Sequence, residues 1–133
     1  MEQTVRILMV KFGEGYDEAM VRLSLAFREA GFEIIYTDVQ RPEAIVASAI
    51  QESVDHIGIT TLPGADLANI KKTIDLLRQS GVDDIQITAG GILSLEDTAR
   101  IKEMGIAEFF PQGTSIEELI QWARDHIKPF GHP

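Results

Sequence analysis

The chain contains no cysteine. That excludes disulfides, thiolate metal sites and thiol nucleophiles, and it fits a cytoplasmic protein. Histidine is scarce as well. His56, His126 and His132 are scattered along the sequence and do not make a metal site. No apolar run approaches the roughly 18 residues of a membrane span, and the N-terminus lacks the long apolar stretch of a signal peptide. Positive charge is short: 12 basic residues face 21 acidic ones, a net charge of −9. Non-specific phosphate-backbone binding rests on Lys and Arg clusters, so neither nucleic acid nor a membrane is expected as a partner. The acidic surplus reads as a solvated surface. What is present is an ordinary globular balance, 44% hydrophobic and 25% charged over 133 residues, enough for one domain with its own core. The expected domain covers 1–133, with its core at about 5–127 and a frayed tail at 128–133.

Short apolar runs alternate with segments of helical period. Val5–Val10 is near-continuously apolar, as expected of a strand buried on both faces of a parallel sheet. Met20, Leu23, Phe27 and Ala30 then step by three and four along one helix face. Glu33–Asp38, His56–Thr61, Ile85–Ala89 and Ala107–Phe110 read as further strands. Helices are expected from about Pro42, through Leu67–Leu77, over Leu95–Met104, and through Ile116–Ile127. Thr114 or Ser115 is the expected cap of the last helix. Gly31, Gly81 and Gly105 each follow a helix and precede an apolar residue, the pattern of a left-handed helix stop. Gly13, Gly15, Gly64, Gly90, Gly91 and Gly113 instead fall after strands, where glycine lets backbone turn tightly or approach a ligand. The alternation predicts an α/β, doubly wound, flavodoxin-like (Rossmann-like) fold: five parallel strands in the order 2-1-3-4-5, with helices on both faces. Its ligand crevice lies outside the strand C-termini.

Several ligands fail at that edge. Gly13-Glu-Gly15-Tyr-Asp-Glu18 carries Glu18 where a dinucleotide fingerprint needs its third glycine, and that carboxylate would face the pyrophosphate. No G-x-x-x-x-G-K-[ST] phosphate loop is present. A phosphorylatable aspartate is missing from the end of the third strand, which reads Thr60-Thr61-Leu62. No nucleophile and base stand together, so a free-standing enzyme has little support.

One pattern remains. Arg6-Ile-Leu-Met-Val-Lys11-Phe-Gly13-Glu14-Gly15-Tyr16-Asp17, Gly58-Ile-Thr60-Thr61-Leu62, Ala89-Gly90-Gly91-Ile92 and Phe109-Phe-Pro-Gln-Gly113-Thr114 occur in order across about residues 5–127. Together they resemble the cobalamin-binding domain of acyl-CoA mutases such as methylmalonyl-CoA mutase. The resemblance implies a cofactor held with its dimethylbenzimidazole tail off cobalt and buried beside the sheet, and a loop histidine as the lower cobalt ligand. Carried over by position, Thr60, Leu62, Gly90 and Gly91 would line the tail pocket, with Thr61 beside them and Gly113 and Thr114 at its border. Gly13, Glu14, Gly15, Tyr16, Asp17 and Ala19 would form the first loop.

That loop departs from the family's Asp-x-His-x-x-Gly. One residue is deleted between Gly13 and Gly15, Glu14 stands for the aspartate, Tyr16 for the histidine and Ala19 for the glycine. Imidazole is neutral near pH 7 and offers a ring nitrogen, whereas a phenol with pKa about 10 must lose its proton to ligate well. Tyrosinate does ligate ferric haem in other proteins, so Tyr16 is the one candidate metal ligand; its bland reading is a helix-start aromatic packed on the loop. Thr60 and Thr61 divide between structural hydroxyls and tail contacts, Trp122 between packing and a partner surface. His56 starts its strand roughly 16 Å from the ligand edge, too far to replace the lost ligand.

Two functions follow. The first is a small subunit that carries cobalamin (adenosylcobalamin) for a large catalytic barrel subunit of a mutase, catalysing nothing itself because the cofactor supplies the chemistry. Its lower ligation would be unusual: tail still on cobalt, water, or Tyr16. The second is a divergent binding or regulatory module of the same fold that has lost cobalamin. Either is compatible with a homo-oligomer.

Overall fold

Apolar runs and helical segments fold as they alternate in sequence in the computed structural model, which describes residues 4–82 and 84–129. Residues 130–133 of the expected tail, His132 among them, lie outside the described residues. Strands β1 (Arg6–Phe12), β2 (Glu33–Thr37), β3 (His56–Thr61), β4 (Gln86–Gly91) and β5 (Glu108–Pro111) alternate with helices α1 (Asp17–Glu29), α2 (Pro42–Gln51), α3 (Leu67–Gln79), α4 (Leu95–Lys102) and α5 (Ile116–His126). All strand pairs are parallel, in the order β2-β1-β3-β4-β5. Every strand-to-helix loop therefore gathers at one edge of the sheet.

The strands bury both faces, and period two divides their side chains. Leu8, Val10, Ile57, Ile59, Ile87 and Ala89 pack with Ile45, Ala49, Ile70 and Leu77 of α2 and α3 in the larger core. Full burial of each of these large aliphatics contributes about 1.5–3 kcal/mol. On the opposite face Ile7, Met9 and Ile34 pack with Phe27, Phe32, Ala123 and Ile127. This second core sits over β1 and β2, and it thins out toward β4 and β5.

Helix ends follow their local chemistry. Ser115 rather than Thr114 caps α5: its hydroxyl accepts from the Glu118 amide at 3.1 Å and donates to the Glu118 carboxylate at 3.3 Å. Strand β4 runs two residues past Ala89, so Gly90 and Gly91 end the strand instead of forming a loop after it. Their register explains the pair. Gly90 and Gly91 lie opposite Thr60 and Thr61 on one side, and Phe110 and Pro111 on the other. A Cβ on Gly90 would come 2.8 Å from the Phe110 carbonyl oxygen, and one on Gly91 (φ +129°) would overlap the Thr61 carbonyl oxygen. Glycine is needed there for strand packing before any ligand is considered.

Candidate functional site

On the thin face, β3 presents His56, Gly58 and Thr60, and β4 presents Thr88 and Gly90, while the intervening residues point into the larger core. None of these five fills space as Ile7 and Met9 do on β1. Opposite them, α5 buries Ala123 but leaves Leu119, Ile120 and Trp122 only partly covered. Trp122 meets Phe110 edge-on at 5.5 Å and His56 at 6.0 Å, wedging the helix off the sheet. A cavity of about 280 Å³ results. Thr60, Gly90, Gly91, Gly113 and Thr114 line it near the strand C-termini, and His56, Thr88 and Trp122 line it deeper, with Leu23 and Phe27 of α1 along its side. From Thr60 to His56 is four strand residues, about 13 Å.

Between a mouth bearing Thr60, Gln112 and Thr114 and its deep end, the cavity is apolar. At that deep end His56 Nε2 shares a 2.9 Å hydrogen bond with Thr88 Oγ1, while Nδ1 is buried without a partner. Burial pushes the His56 pKa down to about 4, against a smaller opposing pull from Asp55. The imidazole is therefore neutral at pH 7 and has one N–H and one lone pair to place. Gly58, midway along the slot, is the counterpart in shape. A Cβ there would meet only Thr88 Oγ1 at 3.9 Å and Ile7 Cγ2 at 4.0 Å, so the packing around it does not demand glycine, and its absence leaves that space to the slot.

The first loop is built separately. Lys11 is buried at the end of β1, and its Nζ donates to the Asp17 carboxylate at 2.7 Å and to the Gly15 carbonyl at 3.3 Å. The Asp17 hydrogen bond raises the Lys11 pKa over an opposing desolvation. The Gln40 amide pairs with both backbone groups of Gly13, at 3.0 and 3.1 Å, and the Glu14 amide donates to the Pro63 carbonyl at 3.1 Å. A Cβ on Gly13 (φ +105°) would lie 2.6 Å from the Leu62 carbonyl oxygen. Tyr16 caps α1 in the left-handed region (φ 60°, ψ 29°), where an aromatic is strained, and its ring is 53% exposed.

The structure thus divides the sequence candidates. Thr60, Gly90, Gly91, Gly113 and Thr114 share the cavity. Thr61 is fully buried, donating to the Gly90 carbonyl at 3.2 Å, and Leu62 is buried off the cavity lining. Gly13, Glu14, Gly15, Tyr16, Asp17 and Ala19 form a braced loop and helix start outside that lining. Gly58, Thr88, Phe110, His56 and Trp122 were missed or set aside from sequence. His56 is indeed far from the edge, but it is the floor of the site. A glycine inside a strand run was the available signal.

The residues fit the tail of a cobalamin, with an apolar slot about 13 Å deep and a glycine side wall at Gly58. They do not supply an imidazole in the first loop. The sequence matches the family model described as the B12 binding domain over residues 7–120. The chain belongs to that family. It is 36% identical to the 2-hydroxyisobutanoyl-CoA mutase small subunit of Aquincola tertiaricarbonis, over 98% of each chain, and is homologous to it. Ethylmalonyl-CoA mutase of Methylorubrum extorquens is 29% identical over 89% of this chain, which spans only 18% of that protein. Among solved structures, a cobalamin-binding protein from Desulfitobacterium hafniense DCB-2 superposes with a TM-score of 0.76 at 17% identity, over 92% of this chain and 59% of that one. This last likeness is one of fold.

The same edge carries exposed apolar side chains. Tyr16, Val39, Leu95 and Ile116 follow the C-termini of β1, β2, β4 and β5, and Leu95 is 92% exposed. Among the described residues no helix is long and apolar enough to cross a membrane.

Proposed function

We propose that this B12-binding-family chain is the cobalamin-carrying small subunit of an acyl-CoA mutase, working as one domain and receiving adenosylcobalamin with its nucleotide tail in the slot between α5 and the β3–β5 face. The observation that carries this reading is the slot itself. A cavity of about 150 Å³ accommodates benzene, so about 280 Å³ suits a bicyclic base with part of its sugar. Thr60, Gly90, Gly91, Gly113 and Thr114 border the tail where it enters, Trp122 and Phe110 offer aromatic surface to it, and Gly58 leaves it room. When bound, the cofactor supplies the radical chemistry of carbon-skeleton rearrangement.

The chain's own contribution is to hold and present. Lys11 and Gln40 fix the first loop beneath the corrin, and the slot keeps the tail out of water. In place of an imidazole, the first loop offers Tyr16, or a water beside it, as the group that would hold the cofactor from below. The exposed Val39, Leu95 and Ile116 lie at the same edge and dock against a large catalytic subunit. The small-subunit relative and the longer mutase support such a partner.

Visible absorption titration with hydroxocobalamin and adenosylcobalamin, with free cofactor as reference, tests the reading. Saturable binding with a spectral shift is expected, accompanied by a change in the emission of Trp122, the chain's one tryptophan. Tyr16→His should then produce a histidine-ligated spectrum. No binding at about 100 µM, weaker than roughly −5.5 kcal/mol, would overturn the carrier reading. It would favour the divergent binding module, to which the exposed, strained Tyr16 already lends some support.

A further inference from the structure

Helix α1 carries a self-complementary stripe on its outer flank. Glu18, Val21, Leu25 and Arg28 recur at intervals of three, four and three, which at about 100° per residue gathers them within about 80° of arc. All four are exposed, and the apolar pair strongly so, Val21 at 62% and Leu25 at 51%. Leu23, on the opposite flank, lines the slot, so the stripe looks away from the ligand site. It looks instead past the end of the sheet: Arg28 Nη2 donates to the Ile34 carbonyl of β2 at 3.1 Å, and β2 is an edge strand. Among the described residues neither Glu18 nor Arg28 has an ion-pair partner.

Exposed apolar side chains scattered singly need no explanation; the order of these four does. From N to C the stripe runs acid, apolar, apolar, base, with its midpoint at Leu23. A second α1 laid antiparallel on it sets Val21 against Leu25 of the copy and Glu18 beside Arg28 of the copy, each contact made twice. A parallel copy would set Glu18 on Glu18 and Arg28 on Arg28. Antiparallel pairing of one surface with itself is the two-fold arrangement of a closed dimer. Its one like-charge meeting, Asp17 with Glu29 of the copy, is relieved by Lys11, which pairs with Asp17 at 2.7 Å. The stripe alone falls short of the roughly 800 Å² per partner of a stable interface. The edge of β2 beside it, with Ile34 and Tyr36 packed on the same face as Phe27 of α1, extends the surface and offers unpaired backbone groups to a neighbour.

We infer that the outer flank of α1 is the interface of a two-fold dimer of this chain, packed through Val21 and Leu25 and held in register by Glu18 and Arg28. The inference stands apart from the carrier reading. Slot and first loop lie outside the interface, and Val39, Leu95 and Ile116 at the strand C-termini stay free for a different partner, so a dimer carries two open slots. A net charge of −9 on each chain opposes pairing at long range. At about 0.15 M salt the Debye length is about 8 Å, which screens that repulsion while the contacts of the stripe persist.

Sedimentation equilibrium of the chain alone, from about 10 µM to about 1 mM at about 0.15 M salt, is the test. The mass should rise from 14.7 kDa toward twice that value, and Leu25→Glu should hold it at the monomer. Glu18→Arg and Arg28→Glu should each weaken pairing about tenfold, since each sets like charges together twice. Mixed in equal amounts, the two variants should pair with each other, because each supplies the charge that the other lacks. The chain carrying both substitutions should dimerise as wild type does. A further readout uses wild type alone: in a mixture of isotope-labelled and unlabelled chains, filtered NOEs should join the methyl groups of Val21 and Leu25 across the interface. A chain still monomeric at about 1 mM overturns the inference. A dimer that survives Leu25→Glu, lacks those NOEs, or is not restored by mixing the charge variants has its interface elsewhere and overturns it equally. Corrinoid titration is read separately, so failure of the carrier reading would leave the dimer result untouched.

Discussion

His56 ties the stability of the fold to pH in a window that few other groups reach. An exposed histidine titrates near 6.5, and burial lowers this one to about 4. The unfolded chain therefore takes up a proton more readily than the native one as the pH falls through 6.5. Linkage then fixes the sign: the contribution is intact above 6.5 and is lost progressively toward pH 4. At 1.36 kcal/mol per pH unit the loss is about 2 kcal/mol by pH 5 and about 3 kcal/mol by pH 4. For a domain of this size the larger figure is roughly 10 °C in melting temperature. The assay is urea denaturation at several pH values between 7.5 and 4, comparing wild type with His56→Val. Other acid-sensitive groups cancel in the difference. Glu43, for example, is held below the usual carboxylate range by its hydrogen bond from Lys72, and it loses its contribution on acidification in both proteins. Wild type should lose ground to the variant steadily below pH 6.5. Parallel stability curves from pH 7.5 to 4 would refute a buried, neutral His56, and with it the polarity assigned to the slot floor.

Three further outcomes follow from particular contacts. Gly58→Val places methyl groups in the slot without a backbone clash, so its melting temperature should equal or exceed wild type while corrinoid affinity falls more than tenfold; unchanged affinity would show that the tail lies elsewhere. Gly91→Ala drives a Cβ into the Thr61 carbonyl at a left-handed φ, and should destabilise by roughly 3 kcal/mol or more, read as a lowered denaturation midpoint. Tyr16→Gly releases a left-handed aromatic, and after the added unfolded-state entropy of glycine should stabilise by about 0.5–1 kcal/mol; no gain in the urea midpoint would mean the conformation carries no strain.

Fold and family were legible because they rest on repeated, local signals. Period-two and period-3.6 apolar patterns placed all five strands and five helices, and Gly31, Gly81 and Gly105 stop α1, α3 and α4 with positive φ as expected. The site was legible only at its rim. Thr60, Gly90, Gly91, Gly113 and Thr114, which line the cavity near its mouth, were singled out because motifs mark strand ends, where ligands of this topology collect. The interior escaped because it depends on which strand faces stay thinly covered, and that is a tertiary matter. His56 sits at the start of a strand, where distance from the edge argued against a role; only a slot as long as the strand brings the floor into the site. Trp122 shows the same limit from the helix side, since its spacing alone fits packing as well as wedging.

The loss of the loop histidine and the persistence of the slot are separable facts, and energetics says how to weigh them. The first loop is secured by Lys11, Gln40 and the Pro63 carbonyl, none of which lines the slot, so the residue at position 16 can change without disturbing the slot. The slot, by contrast, is costly to leave empty. Its apolar lining, left facing water through an open mouth, forgoes the burial that an occupant would supply. Filling it would begin at Gly58, where a Cβ meets no backbone and a branched side chain would improve strand propensity. A module with no tail to hold would gain stability from that single change and lose nothing. Glycine at 58 beneath a wedged Trp122 is thus better explained by an occupant than by decay, and a Gly58→Val variant that gains stability as it loses corrinoid would measure both sides of that argument at once.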